Sequence, residues 1–300
     1  MKNVLRVLLV CVLLAALAPL TAPAASAART GAAPAGRPGA GTHERAVTMY
    51  GLWKRDYLLR VPPGRARPRP LVVALHGGLN DAKYMEQSTG FDAVADAKGF
   101  LVAYPNGFMG TWNAGGCCWF ARMAGVDDVA FLDRLIGTLV KEGLADPRRV
   151  YLTGFSNGGG MAYRYACERA GKVAAIGVVS GSLAVPCEPE RPVSLIAVHG
   201  TADFSVPFGG GGNQDWNNET PFPPVSAIMD FWRTLDGLPP LDRIILDAAS
   251  TVCRTSAGAA RVQVEFCTVF DGGHTWPDGR GKGVAASPLL WDFFARHVRR

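Results

Sequence analysis

The sequence predicts an α/β fold, a mostly parallel central sheet flanked by helices in a single domain. Three observations carry that expectation. Continuous apolar runs recur, at PLVVALHGG (70–78), VAAIGVVSG (173–181) and VSLIAVHGTAD (193–203), and such runs suit strands buried on both faces. Between them lie segments with apolar residues at helical spacing. The apolar runs end in glycine, where a strand gives way to a turn.

The elements follow in order. The first 27 residues carry Lys2 and Arg6, then an unbroken apolar run over 7–17, then Ala25-Ser26-Ala27, the pattern of a cleaved secretory signal peptide. That run falls well short of the ~20 residues a membrane span needs, so no membrane anchor is expected. Residues 28–44, rich in Ala, Gly and Pro, have little to bury and read as a disordered leader, which leaves 45–300 as the folded domain. AVTMY (46–50) and YLLRVP (57–62), split by Gly51, read as a hairpin. Strand 70–78 leads to a helix over 84–98, ended by Gly99, then to strand and turn GFLVAYPNG (99–107). Residues 127–142 place Val129, Leu132, Ile136, Leu139 and Val140 on one helical face. Strand 149–153, a glycine-rich joint and helix 161–169 follow. Strands at 173–181 and 193–203, a helix over 225–235, strands at 243–246 and 261–270 and a helix over 288–298 complete the chain.

Charge and cysteines narrow the function. The net charge of +6 comes from scattered arginines with no basic run interleaved with aromatics, which speaks against nucleic acid. Leaving Cys11 in the signal, six cysteines remain, an even number in an oxidising compartment, and disulfides are expected. There is no CxxC pair and no histidine at ligand spacing from a cysteine pair, so zinc is not expected. Cys253 and Cys267 fall opposite each other if the turn of a hairpin lies near Ala260. Adjacent Cys117 and Cys118 are expected to bond one each to Cys167 and Cys187, the choice left open.

The chemistry centres on Gly154-Phe155-Ser156-Asn157-Gly158 at the end of a strand. This G-x-S-x-G joint suits a nucleophilic serine lifted clear of the sheet, and no phosphate-loop Lys-Ser/Thr follows the glycines. Of five histidines, His43 falls in the leader, His297 on the last helix, and His76 and His199 precede glycines at strand ends, where they would hold loops. His274, after Asp271-Gly272-Gly273, stands where the order Ser, acid, His puts a base. Asp203 lies between them directly after a strand. Asp215 follows no strand, and Asp271 is too near His274 along the chain to face its ring. Oxyanion donors are expected from the N–H of Asn157 and of Gly78, with Leu79 the alternative. Trp112, Trp119 and Trp276 lie near loops at the same edge. They suit an aromatic substrate wall or the core equally. Gly209–Gly212 and the polar run after it suggest a mobile loop beside the acid, and Asn218-Glu219-Thr220 matches a glycosylation sequon.

LHGG (75–78), YPNG (104–107), WNAGGCCW (112–119) with VDDVAFLDRLI (126–136), VYLTGFSNGGGMAYRYACE (150–168), VHGTADFSVPFGGG (198–211) and GGHTWP (272–277) together resemble the secreted polyhydroxybutyrate-depolymerase-like esterases, relatives of feruloyl and acetylxylan esterases. The resemblance implies an α/β-hydrolase fold and a cofactor-free carboxylic ester hydrolase, exported and monomeric, with Ser156, Asp203 and His274 as triad. Its substrate would be short aliphatic polyesters and oligomers or related acyl and aryl esters, with feruloyl or acetylxylan esters as the alternative. A non-catalytic binding protein on this fold and a peptidase are the other classes weighed. Such esterases often carry a cysteine just after the helix that follows the acid loop. Leu235-Asp236-Gly237-Leu238 has none, which implies a rearranged disulfide set. The chain ends at Arg300, one helix after His274, which argues against tight adsorption to solid polyester.

Overall fold

The computed structural model describes residues 38–64, 68–212, 221–258 and 262–299. The signal segment, most of the leader, Asp215 and the sequon lie outside the described residues.

Ten strands form one sheet in the order β1-β2-β4-β3-β5-β6-β7-β10-β9-β8. They are β1 (Gly41–Met49), β2 (Trp53–Val61), β3 (Arg69–Leu75), β4 (Leu101–Pro105), β5 (Ala145–Phe155), β6 (Ala175–Val179), β7 (Ser194–Gly200), β8 (Arg243–Ala248), β9 (Thr251–Ala257) and β10 (Gln263–Val269). The centre, from β4 through β3, β5, β6 and β7 to β10, is parallel. Antiparallel hairpins flank it, β1-β2 on one side and β9-β8 on the other. β1 begins at Gly41, inside the stretch whose composition reads as leader, because Gly41, Thr42, His43 and Glu44 pair along β2 through backbone bonds that need no apolar side chain.

Two cores sit on the two faces of the sheet. Along β3, Leu71, Val73 and Leu75 enter one cluster and Val72 and Ala74 the other, the period-2 alternation of a strand buried on both sides. The first cluster is closed by α4 (Asp128–Lys141), α5 (Asn157–Glu168) and α6 (Val225–Leu235). The second is closed by α1 (Ala82–Thr89), α2 (Phe91–Lys98) and α7 (Ala286–Phe294). On α4, Val129, Leu132, Leu135, Ile136 and Leu139 are buried, each contributing roughly 1.5–3 kcal/mol. Asp127 and Asp81 cap α4 and α1 by accepting from the N–H of Ala130 and Tyr84. The helix expected over 84–98 is two helices, because Gly90 takes φ 66° and ends the first. A five-residue helix, α3 (Trp119–Met123), was not foreseen; it is too short for a periodic signal. No described helix is long and apolar enough to cross a membrane.

Candidate active site

Ser156 sits between the last residue of β5 and the first of α5, with φ 53° and ψ −119°. A non-glycine residue adopts that region only where its surroundings enforce it. Here the Ser156 N–H donates to Val179 O at 2.9 Å, pinning the turn to β6. A Cβ on Gly154 would overlap the carbonyl of Gly158, and one on Gly158 would overlap those of Leu75 and His76. The glycines are therefore demanded by close backbone approach between strand, turn and helix.

The next groups come from neighbouring strand ends. β7 and β10 are adjacent and parallel, so the loops that follow them lie side by side. Three bonds tie those loops: Thr201 N–H to Val269 O, Ala202 N–H to Gly272 O and Asp271 N–H to Thr201 Oγ1. His274 is thereby brought to Asp203, its Nδ1 2.8 Å from Oδ2 and 3.0 Å from Oδ1. Asp203 Oδ1 also accepts from the N–H of Ser205 and Val206. Burial pushes this carboxyl up. The bonds from His274 and the Val206 N–H, with the fields of His274 and His199, outweigh it and leave the pKa below the usual value. The ring of Phe155 packs on His274, centroids 4.8 Å apart, which sets the imidazole beside the serine turn. Asp271 instead pairs with Lys282 at the surface.

His76 and His199 hold loops, as their positions suggest. His76 Nδ1–H donates to Gly77 O and Nε2 accepts from the Gly107 N–H. Burial lowers its pKa to about 4, so it stays neutral. His199 Nε2–H donates to Val206 O, and burial likewise lowers its pKa. His43 lies on β1 rather than in a leader, and His297 is buried with Nδ1 donating to Phe293 O.

Comparison with known proteins agrees with this geometry. The model of the "Esterase PHB depolymerase" family matches residues 55–207. The chain belongs to that family. It is a carboxylic ester hydrolase on the α/β-hydrolase fold. A putative esterase, NocK, of Nocardia uniformis subsp. tsuyamanensis is 32% identical over 79% of this chain and 75% of its own. Feruloyl esterase C of Emericella nidulans is 29% identical over 80% of this chain and 83% of its own. Among solved structures, the acetyl xylan esterase from Aspergillus awamori superposes with a TM-score of 0.58 over 84% of this chain and 99% of its own, at 17% identity.

Ser156 of the esterase opens into a cavity of about 400 Å³. Asn157, at the first position of α5, carries an N–H with no acceptor within the helix. The Asn157 side chain clamps the Trp112 backbone, accepting its N–H and donating to its carbonyl. Of the two expected donors in that loop, the Leu79 N–H is spent on Gly110 O at 2.7 Å. A buried pair, Arg55–Asp128, holds the same region. Asp128 Oδ2 accepts from the Asn113 N–H, and Arg55 donates to Asn106 O while lying over the Phe131 ring at 4.0 Å.

Of the three tryptophans, only Trp119 lines the cavity. Trp112 is a correction: it is fully buried against Phe131 and His76, with its Nε1–H bonded to His76 O. Trp276 is another. It packs on Phe91 and donates to Ser287 Oγ, on the far face of the sheet. Phe204, Phe222 and Ser182 line the cavity instead and were missed. Phe204 follows Asp203 directly and was legible by position. Phe222 and Ser182 reach the site through loops whose path no local pattern records.

The cysteines pair as Cys253–Cys267, Cys167–Cys187 and Cys117–Cys118. The first follows from the hairpin register, in which Cys267 faces Cys253. The expected bridges from Cys117 and Cys118 to Cys167 and Cys187 do not form. Cys117 and Cys118 line the cavity near Ser156, at the start of α5, whereas Cys167 lies at the other end of that helix, roughly 16 Å away at 1.5 Å per residue. The adjacent pair bonds to itself and becomes part of the cavity wall.

Proposed function

We propose that the esterase is an exported serine hydrolase that works through an acyl-enzyme on esters of aromatic acids of the hydroxycinnamoyl kind. What carries the mechanism is Ser156 raised on a strained turn at one strand end, with His274 held to buried Asp203 at the neighbouring strand ends. With Nδ1 engaged by Asp203, Nε2 of His274 takes the Ser156 proton as Oγ attacks the ester carbonyl. The oxyanion is met by the N–H groups of Gly78 and Asn157, and the α5 dipole favours that charge. The intermediate collapses, His274 returns the proton to the departing alcohol, and a water repeats the sequence to free the acid. Asp203 fixes the ring orientation and stabilises the imidazolium.

The aromatic reading is supported by the cavity beside Ser156, where Trp119, Phe222 and the Cys117–Cys118 pair offer flat apolar surface. It also agrees with relatives named feruloyl esterase C. A second reading, short aliphatic polyesters, is favoured by Leu79, Met109 and Phe204, apolar side chains that stay 62%, 62% and 83% exposed. The test is a panel of 4-nitrophenyl butyrate, methyl ferulate, acetylated xylan and amorphous polyhydroxybutyrate, with purified wild type and Ser156→Ala. Methyl ferulate is expected to give the highest kcat/KM of the natural-type substrates. Faster release of hydroxyacid from the polyester than of ferulate would replace the first reading with the second.

A further inference from the structure

We infer that Ser182 is the specificity-determining contact of the acyl pocket, a hydroxyl that hydrogen-bonds a ring hydroxyl on the acyl group. The inference rests on the aromatic-ester reading above and adds the residue that selects among such esters. Ser182 lies on the loop after β6, is 5% exposed and lines the cavity that holds Ser156. Its Oγ is buried without a hydrogen-bond partner. A buried hydroxyl left unpaired is costly, and native proteins seldom keep one without a use. Because Oγ is engaged by nothing, a turn about χ1 into the cavity breaks no hydrogen bond.

Ser182 sits beside the first turn of α5. Its carbonyl packs against Gly160, where a Cβ would come within 3.1 Å of it, and the Gly160 N–H donates to Ser156 O. Gly160, and with it the Ser182 carbonyl, lies about one helical turn along α5 from Ser156, roughly 6 Å of rise. The acyl part, not the alcohol, is the half that must rest in the enclosed space, since it remains on the serine after the alcohol leaves. Ala114, Trp119, Ala184 and Phe222 give the cavity apolar surface that suits the ring.

The test compares Ser182→Ala with wild type on methyl 4-hydroxycinnamate and methyl cinnamate, reading kcat and KM separately. Expected is a five- to tenfold loss of kcat/KM on the hydroxylated ester, mostly in KM, with the unsubstituted ester unchanged, the size of one neutral hydrogen bond. The melting temperature should hold or rise, since alanine removes an unpaired buried group. Equal losses on both esters, or no loss on the hydroxylated one, would overturn the role of Ser182 and leave the aromatic reading standing. A wild type that cleaves 4-nitrophenyl butyrate but neither cinnamate would overturn the aromatic reading, and the role of Ser182 with it.

Discussion

His274 Nδ1 lies within hydrogen-bond reach of both carboxylate oxygens of Asp203, at 2.8 and 3.0 Å, although 71 residues separate the two in sequence. Parallel pairing of β7 with β10 brings them together, and the backbone bonds between the two following loops fix the approach. Asp203→Asn should keep this shape while losing the charge that favours the imidazolium and the acceptor that sets the tautomer. Activity on 4-nitrophenyl butyrate is expected to fall by about 10⁴-fold. Ser156→Ala should fall at least as far with an unchanged melting curve. A pure Ser156→Ala protein keeping a tenth of wild-type activity would refute the nucleophile.

Two buried groups make opposing contributions to the pH dependence of stability over nearly the same interval. The buried His76 has its pKa lowered from 6.5 to about 4. Between those values the unfolded chain takes up a proton that the folded chain refuses, so stability falls as pH drops from 6.5 towards 4, by about 3 kcal/mol for this residue. His199 and His297, also lowered by burial, act in the same direction. Asp236 has the opposite sign. Burial raises its pKa from 3.8 to about 7, so the unfolded chain ionises first and stability falls as pH rises through that interval. Between about pH 4 and 6.5 the His76 and Asp236 contributions offset each other, so Asp236→Asn should leave the histidines unopposed and give a melting temperature that rises more steeply with pH over that range than the wild type's.

Arg55→Ala should be among the most destabilising single changes. It strips the partner from Asp128, whose side chain is 0% exposed, and an uncompensated buried charge costs ~3–5 kcal/mol. Denaturant titration of the variant measures it. Activity should fall as well, because Asp128 also holds the Asn113 N–H next to Trp112. A loss under 1 kcal/mol would show that this pair does not organise the loop.

The disulfide frame is open to direct mapping. Non-reducing peptide maps of exported protein should link Cys253 to Cys267 and Cys167 to Cys187, with Cys117 and Cys118 in one peptide that gains two mass units on reduction. Replacing Cys253 and Cys267 by alanine frees a bridge spanning 14 positions, and loop entropy puts the loss at ~3 kcal/mol. A peptide joining Cys117 to Cys187 would contradict the pairing.

Much of this was legible because the signals are local. The serine turn needs Gly154 and Gly158 within a few residues of Ser156, and hydrophobic runs such as Val72–Leu75 announce buried strands without reference to anything distant. The order Ser156, Asp203, His274 is likewise a property of the chain. Whether Trp112 and Trp276 face the substrate or the core stayed open because a tryptophan near a strand end has no sequence mark for which way its ring turns. Only the packing of Phe131 against one and Phe91 against the other decides it. The Cys117–Cys118 pair was misjudged for a similar reason: the length of α5, which keeps Cys167 out of reach, is a three-dimensional constraint. The backbone bond from the Leu79 N–H to Gly110 O is also invisible in sequence.

Gly78 and Trp119 form the sharpest test of the oxyanion loop. A Cβ on Gly78 would overlap the six-membered ring of Trp119, so the ring covers the backbone whose N–H is proposed to meet the oxyanion. Gly78 has none of the positive φ values found nearby, so alanine is compatible with its backbone, and the conflict is with the ring alone. Gly78→Ala must displace either Trp119 or the N–H. Moving the donor away from its target costs on the order of 10²-fold in kcat, as loss of one oxyanion donor does. Trp119→Ala alone should change KM for aromatic esters more than kcat, because it removes cavity wall and leaves the donor in place. In the double variant the ring is gone and the alanine methyl has room, so kcat should recover at least tenfold over Gly78→Ala. That non-additivity is the signature of two groups competing for one space. Strictly additive losses in kcat across the four proteins would show that the Gly78 backbone is positioned independently of the Trp119 ring.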